Sequence, residues 1–305
     1  MSSILERMPA FESRRLVGST FLIRERDDVY DEHPHIYAKI NPGISTIVII
    51  DTGCGGASND PDVGVTSLRE FIETVDVADN DHKPLNKDGS MSYVIVLSHC
   101  HYDHILAVEQ FSDAVILASA NSPEFVDSEN LPAHSLCDAL GLRTPSYEST
   151  LVPHKHEIPE TGMIILHTPG HTPDELAVYD YQERMLYVGD TLYEHAPIIF
   201  PKEGSIIEWF TSVNALISLV QSEKVDDGGQ RLQISAGHET AGQPALAVLT
   251  STKAFMQGVI EGKEPVRERM VKRGEETVMY RQDNGVYSLI CPERLVLEAR
   301  AVQCS

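Results

Sequence analysis

The chain has 305 residues, with 24 basic and 46 acidic side chains and a formal net charge of −22. This excess of negative charge argues against nucleic acid or an anionic membrane as a partner, because both are bound by clustered Lys and Arg. Charged residues make up 23% of the chain and hydrophobic residues 42%, which is typical of a globular protein with a sizeable core. No linker divides the sequence, and we expect a single domain over residues 1–305.

The chain also lacks the sequence features of secreted and membrane proteins. The N-terminal residues contain no apolar segment of the signal-peptide type, and no apolar run approaches the roughly 18 residues of a membrane span. The five Cys are scattered and odd in number, unlike a disulfide framework. These features predict a cytoplasmic protein in a reducing environment.

In the first half of the chain, hydrophobic patterns predict strands at residues 16–24, 35–40, 46–50 and 92–97 and a helix at residues 66–77. The run Thr-Ile-Val-Ile-Ile at 46–50 is typical of a strand that is buried on both faces. It ends at the glycine-rich turn 51–56. This order of strand, turn, helix and strand indicates a sheet covered by helices.

The second half of the chain repeats this alternation. Strands are expected at residues 163–167, 176–180, 185–188 and 232–235, and helices at residues 206–221, 245–260 and 292–301. Asp283-Asn284-Gly285 predicts a hairpin turn between residues 278–281 and 286–290. Residues 121–159 contain five prolines and are the least regular. We interpret them as an insertion over one edge of the sheet that contributes to a substrate pocket.

One short segment carries most of the recognisable chemistry. His99, His101, Asp103 and His104 lie within six positions, directly after the expected strand 92–97. His99 and His101 point to the same side of an extended backbone, whereas the consecutive Asp103 and His104 diverge. Two divergent pairs suit two neighbouring metal ions better than one. Imidazole together with carboxylate suits Zn²⁺, with Fe or Mn as alternatives.

Three further candidate ligands lie downstream, each next to a glycine and close to an expected strand end. They are His171 in Pro-Gly-His-Thr-Pro, Asp190 in Val-Gly-Asp-Thr and His238 in Ala-Gly-His-Glu. Glycine lets backbone approach a site closely, and functional side chains are frequent on such loops.

With Asp51-Thr52-Gly53 and these ligands in this order, the sequence resembles the metallo-β-lactamase superfamily over nearly its whole length. The resemblance implies an α+β fold, a four-layer αββα sandwich of two mixed β-sheets flanked by helices, with a metal cleft along one edge. It implies a dinuclear site in which Asp190 bridges the two ions. The remaining implied ligands are His99, His101 and His171 for one ion and Asp103, His104 and His238 for the other. Asp51 would support the ligand loop without binding metal.

The resemblance also implies a mechanism. Two Zn²⁺ ions per chain would share a hydroxide that attacks a carbonyl polarised by one metal ion. Asp103 would orient this nucleophile or accept a proton. Tyr193, three residues after Asp190, resembles a tyrosine of the lactonase branch that donates a hydrogen bond to the substrate oxygen. A packed aromatic side chain is the alternative interpretation of Tyr193.

The resemblance leaves several substrates open. We expect a hydrolase that opens a small cyclic amide or ester, a lactam or a lactone. A thioester hydrolase of the glyoxalase II-like or polyketide-releasing kind is the first alternative, and a mononuclear iron sulfur dioxygenase is the second. Asp174 stands where both hydrolase branches usually have Gly. The negative charge favours a small neutral or weakly charged acyl substrate, and a dimer is compatible with the sequence.

Other conspicuous side chains are given structural interpretations. Cys54 is expected to be a small packed side chain, although it lies near the cleft. Trp209 and Phe210, on the expected helix 206–221, are expected in the core or an interface. Arg267 and Arg269, with Lys272 and Arg273, form a candidate basic patch that an anionic thioester carrier would need.

Overall fold

The structure is a computed structural model that describes residues 8–223 and 231–303. The chain divides into two compact units, unit 1 (Met1–Ala118 and Glu124–Val152) and unit 2 (Ser119–Pro123 and Pro153–Ser305). Whether the chain is one domain, as the sequence predicts, remains a prediction.

Unit 1 is built on a mixed sheet of seven strands. Its regular elements are β1 Met8–Pro9, β2 Phe11–Val17, β3 Thr20–Glu25, β4 His35–Asn41, β5 Thr46–Ile50, β6 Val63–Val65, α1 Leu68–Thr74, β7 Ser92–Val96, α2 Tyr102–Ile105, β8 Val115–Ser119, α3 Leu131–His134, α4 Cys137–Leu140 and β9 Thr150–Val152. The sheet order is β2-β3-β4-β5-β7-β8-β9. Strands β2 to β5 pair antiparallel, and β5, β7 and β8 pair in parallel.

Strand β5 lies at the centre of this sheet and is buried over residues 47–50, as its β-branched sequence predicts. Helix α1 begins at Ser67, whose hydroxyl accepts the backbone N–H of Glu70, and it turns Leu68, Phe71 and Ile72 into the core. Because both elements are buried, the end of β5 has a fixed position. Asp51, the first predicted site residue, directly follows β5.

Unit 2 contains two mixed sheets and three long helices. Its elements are β10 His156–Ile158, β11 Met163–His167, β12 Leu176–Asp180, β13 Met185–Tyr187, β14 Pro197–Ile199, α5 Ile206–Ser222, β15 Gln233–Ser235, β16 Gln243–Pro244, α6 Ala245–Ile260, β17 Val266–Lys272, β18 Glu275–Arg281, β19 Ser288–Pro292 and α7 Glu293–Gln303. The sheet orders are β10-β11-β12-β13-β15-β16 and β14-β19-β18-β17.

The core of unit 2 centres on α5, which packs against α6 and α7. Trp209 of α5 is fully buried, and Phe210 packs against the same cluster, so both belong to the core as expected. Helix α5 begins at Ser205, whose hydroxyl accepts the backbone N–H of Glu208. No helix in residues 8–223 and 231–303 is long and apolar enough to cross a membrane.

The α+β class with mixed sheets and flanking helices is confirmed, but one predicted strand was wrong and several strands were not predicted. Residues 16–24 do not form one strand, because a turn at Gly18, with φ +48°, separates β2 from β3. Strand β17 was missed because its side chains are mostly charged and exposed, which leaves no hydrophobic period to read. The irregular segment 121–159 contains β9 and β10, which are edge strands of two different sheets.

Candidate metal centre

In unit 1 the predicted ligands lie in the loop after β7 and in the short helix α2. His99, His101, Asp103 and His104 are all buried. Nε2 of His99 lies 3.0 Å from Nδ1 of His101, and Nε2 of His104 lies 3.4 Å from Oδ2 of Asp103. Several imidazole nitrogens and a carboxylate are therefore held out of water at short range, which is how proteins prepare a metal site.

Asp51 organises this group from the end of β5. Its backbone has φ +62°, and Oδ1 accepts the backbone N–H of Ser98 at 2.7 Å. Oδ2 lies 2.8 Å from the Ser98 hydroxyl, which donates to it, and 2.9 Å from Nδ1 of His104. A proton on Nδ1 that bonds to the carboxylate leaves Nε2 of His104 with the lone pair that a metal ion needs.

The same carboxylate reaches a second imidazole through Ser98. The Ser98 hydroxyl donates to Asp51, and its oxygen lies 3.0 Å from Nδ1 of His99. A hydroxyl that donates in one direction can accept in the other, so this contact places the proton of His99 on Nδ1. Asp51 therefore sets the orientation of two predicted ligands, directly for His104 and through Ser98 for His99.

In unit 2 the loop of His171, between β11 and β12, is held by the start of α5. The carbonyl of Gly170 accepts the backbone N–H of Ser205 at 2.7 Å, and the carbonyl of Pro169 accepts the hydroxyl of Ser212 at 2.7 Å. A Cβ at Gly170 would lie 2.6 Å from Cα of Trp209. Glycine is required here because the loop and the helix touch backbone to backbone.

Asp190 follows β13 and lies between two imidazoles of unit 2. Its Oδ2 is 4.0 Å from Nε2 of His171 and 3.7 Å from Nε2 of His238, and all three side chains are buried. The backbone N–H of Gly237 donates to the carbonyl of Gly189 at 2.6 Å, which ties the His238 loop to the Asp190 loop. A carboxylate oxygen within 4.0 Å of two imidazole nitrogens is compatible with a bridging metal ligand.

Two contacts in unit 2 were missed by sequence reasoning. The carboxylate of Glu175 accepts the backbone N–H of Asp190 at 2.8 Å, and the indole N–H of Trp209 donates to the carbonyl of Thr191 at 2.6 Å. Glu175 is fully buried directly before strand β12. An acidic side chain at the start of a buried strand is itself a signal that could have drawn attention to it.

Tyr193 lies beside the unit 2 ligands. It is 5% exposed, and its ring packs edge-on against His238 with 5.4 Å between ring centroids. Its role as a hydrogen-bond donor to substrate stays a prediction. Cys54 is buried, and burial raises the pKa of its thiol far above the ordinary value, so the thiol stays protonated as a packed side chain.

The chemistry of these donors fits metal ions. Unit 1 offers three imidazoles and the carboxylate of Asp103, and unit 2 offers two imidazoles and the carboxylate of Asp190, as donors that could hold metal ions. Neutral imidazole and carboxylate are the ligands that Zn²⁺ takes at catalytic sites, and Fe and Mn accept the same set.

Comparisons with known proteins agree with this geometry. Residues 85–227 match the family model described as the metallo-beta-lactamase superfamily. The chain is 33% identical to an Aspergillus versicolor protein named "Putative transcription factor avaE", over 97% of this chain and 90% of that protein. It is 23% identical to the human acyl-coenzyme A thioesterase MBLAC2, over 82% of this chain and 88% of that protein.

Among solved structures, the chain resembles the metallo-beta-lactamase family protein TTHA1429 from Thermus thermophilus, with a TM-score of 0.58 and 16% identity. The match covers 83% of this chain and 84% of that protein. At this identity the likeness concerns the fold alone.

Proposed function

Because the chain belongs to the metallo-beta-lactamase superfamily, we propose that it is a metal-dependent hydrolase that opens a small lactone or lactam. The observation that carries the proposal is the position of Asp190, whose Oδ2 lies 4.0 Å from Nε2 of His171 and 3.7 Å from Nε2 of His238. A carboxylate with this placement is suited to bridge two cations. Burial of a carboxylate and two imidazoles is costly unless they are paired, and metal ligation would satisfy all three groups.

We assign two zinc ions to the chain. The candidate ligands are His99, His101, Asp103 and His104 in unit 1 and His171, Asp190 and His238 in unit 2. Two such cations, when bound, lower the pKa of a shared water and polarise a carbonyl oxygen.

The side chains of the protein supply orientation and proton transfer. We propose that Asp103, which is buried beside His104, accepts a proton from the attacking water. Tyr193 stands against His238 and offers a phenol O–H to the oxygen on which negative charge develops. Asp51 holds the imidazole of His104 in one orientation through its contact with Nδ1.

A thioester hydrolase is the second candidate, and it is favoured by the likeness to MBLAC2. The charges of the chain weigh against a large anionic thioester carrier, because the net charge is −22 and repels anions. Within the candidate basic patch, Arg267 pairs with Asp283 and Arg269 pairs with Glu293. These pairs lower the positive charge that the patch can offer, and the lactone or lactam hypothesis therefore comes first.

A panel of four substrates tests the proposal. The protein, loaded with Zn²⁺, is assayed on a lactone, a lactam, a β-lactam and a thioester, each with and without a chelator. The proposal expects chelator-sensitive opening of the lactone or the lactam as the fastest reaction. Fast hydrolysis of the thioester alone would favour the second candidate, and no hydrolysis of any of the four would contradict both.

The remaining features of the proposed function concern setting and partners. Cys54, Cys100, Cys137 and Cys291 are buried and take part in no disulfide among the described residues, which is compatible with the reducing cytoplasm that we propose. We propose a small neutral or weakly charged acyl compound as the substrate, with neither nucleic acid nor membrane as a partner.

A further inference from the structure

Backbone hydrogen bonds close the loop that carries His171, without any contribution from side chains. The backbone N–H of Thr168 donates to the carbonyl of Glu175 at 2.9 Å, and that of Gly170 donates to the carbonyl of Thr172 at 3.1 Å. The pairing of His167 with Leu176 holds the two ends of the loop at neighbouring strands. The side chain of Glu175 is therefore not needed to close the loop.

That side chain instead reaches the next ligand-bearing loop. Oε1 of Glu175 accepts the backbone N–H of Asp190 at 2.8 Å and lies 3.4 Å from the hydroxyl of Thr191. Glu175 is fully buried, so its carboxyl group is held away from water. Burial of an acidic group is costly unless it is well hydrogen-bonded, and a small turn residue would avoid that cost. Loop closure therefore does not explain why a glutamate is buried at position 175.

We propose that Glu175 is a positioning residue that sets the separation of His171 and Asp190. Glu175 belongs to the loop that carries His171, and its carboxylate accepts the backbone N–H of Asp190. Nε2 of His171 and Oδ2 of Asp190 lie 4.0 Å apart. A metal ion binds tightly only where its ligands are already spaced for it. The inference rests on the proposed function, since it takes both residues as metal ligands.

Metal binding by Glu175 variants tests the inference without any assay of turnover. Metal-free protein is titrated with Zn²⁺ against a chromophoric chelator, and with Co²⁺ while its visible absorption is recorded. Glu175→Ala should weaken the affinity for metal by about 10- to 100-fold. Glu175→Gln keeps an acceptor oxygen at the same reach and should restore the affinity to within a few-fold. Glu175→Asp keeps the charge but is shorter and should stay weakened.

Asp180→Ala is the matched control. Asp180 is also a fully buried acid of unit 2, and its Oδ1 accepts the backbone N–H groups of Gln182 and Glu183 at 3.0 Å, in a turn that carries none of the predicted ligands. This variant should lower the melting temperature of the metal-free protein and leave its metal affinity unchanged.

The outcomes separate this inference from the proposed function. The inference is overturned if Glu175→Ala binds metal as tightly as the unchanged protein, or if Glu175→Gln is as weak as Glu175→Ala. It is also overturned if Asp180→Ala is equally weak. If Glu175→Ala does not fold, the metal affinities of the other two variants test the inference: Glu175→Gln should bind metal more tightly than Glu175→Asp, and the reverse order overturns it. If the unchanged protein binds no metal, the proposed function fails first and this inference fails with it.

Discussion

Nδ1 of His104 lies 2.9 Å from Oδ2 of Asp51, with both side chains buried. Asp51→Asn would place an amide N–H₂ against Nδ1 of His104, so the imidazole proton would move to Nε2 and block ligation there. We expect the affinity for both metal ions to fall, by about 10- to 100-fold, because Asp51 orients His104 directly and His99 through Ser98. A metal titration of the variant measures this directly.

The matched control for Asp51→Asn is Thr52→Val. The hydroxyl of Thr52 donates to the carbonyl of His104 at 3.0 Å, so its loss removes a buried hydrogen bond to the same residue without touching the imidazole. Thr52→Val should keep both ions. Two ions bound to Asp51→Asn with unchanged affinity would contradict the orienting role of Asp51.

Tyr193→Phe tests the proposed donor to the substrate. The variant keeps the ring that packs edge-on against His238 and removes only the hydroxyl. We expect kcat to fall by about 100-fold, as for the loss of a donor to a developing oxyanion, while the metal content stays the same. Steady-state kinetics and elemental analysis on one preparation check both parts. Tyr179→Phe, in another buried tyrosine of unit 2, is the control, and an unchanged kcat for Tyr193→Phe would remove Tyr193 from the site.

Gly170→Ala tests whether helix α5 holds the His171 loop. The added methyl group would lie 2.6 Å from Cα of Trp209, so the loop must move away from the helix. We expect weaker metal binding and a loss of roughly 1–3 kcal/mol in the free energy of unfolding, as for overpacking. Gly43→Ala is the control, because a methyl group there meets nothing within 4 Å. Unchanged metal affinity in Gly170→Ala would show that the contact does not position His171.

Glu25 should make the stability of the protein depend on pH. Its carboxyl group accepts the backbone N–H of Gly56 at 3.0 Å, and burial, together with the nearby Asp28, raises its pKa from 4.5 to about 8. The folded protein therefore binds the proton more tightly than the unfolded chain. The stabilisation is complete below the unfolded pKa of 4.5 and is lost as the pH rises through about 8.

Urea unfolding at several pH values measures this effect. Between pH 5 and 8 the contribution of Glu25 to the free energy of unfolding should fall by up to about 1.4 kcal/mol per pH unit. Glu25→Gln cannot titrate, so the difference between the two proteins should change over that window by this slope. Parallel pH profiles for the two proteins would contradict the raised pKa.

The order of elements could be read from the sequence because buried strands and amphipathic helices carry hydrophobic periods. Strand β5 at Thr46–Ile50 and helix α6 at Ala245–Ile260 have the predicted bounds. Strand β17 has no such period, and the turn at Gly18 interrupts a pattern that looks continuous along the sequence. Local pattern thus located most of the packed elements, whereas the buried strand β8 and the exposed strand β17 were not predicted.

The predicted ligands could be found because each combines a metal-binding side chain with a glycine or a strand end. Their spacing in three dimensions could not, because His171, Asp190 and His238 are brought together by strand pairing and loop contacts between distant parts of the sequence. The contact of Glu175 could not be predicted for the same reason, because its partner, the backbone N–H of Asp190, lies 15 positions away in the sequence.

Elemental analysis of the purified protein and of its Asp190→Ala variant, together with a hydrolysis assay, decides whether the chain is a zinc hydrolase. We expect about two zinc ions per chain, chelator-sensitive hydrolysis that returns when zinc is restored, and loss of metal and activity together in Asp190→Ala. One iron per chain, with oxygen consumed on a sulfur substrate and no hydrolysis, would contradict it. So would full turnover by an Asp190→Ala protein that has lost its metal.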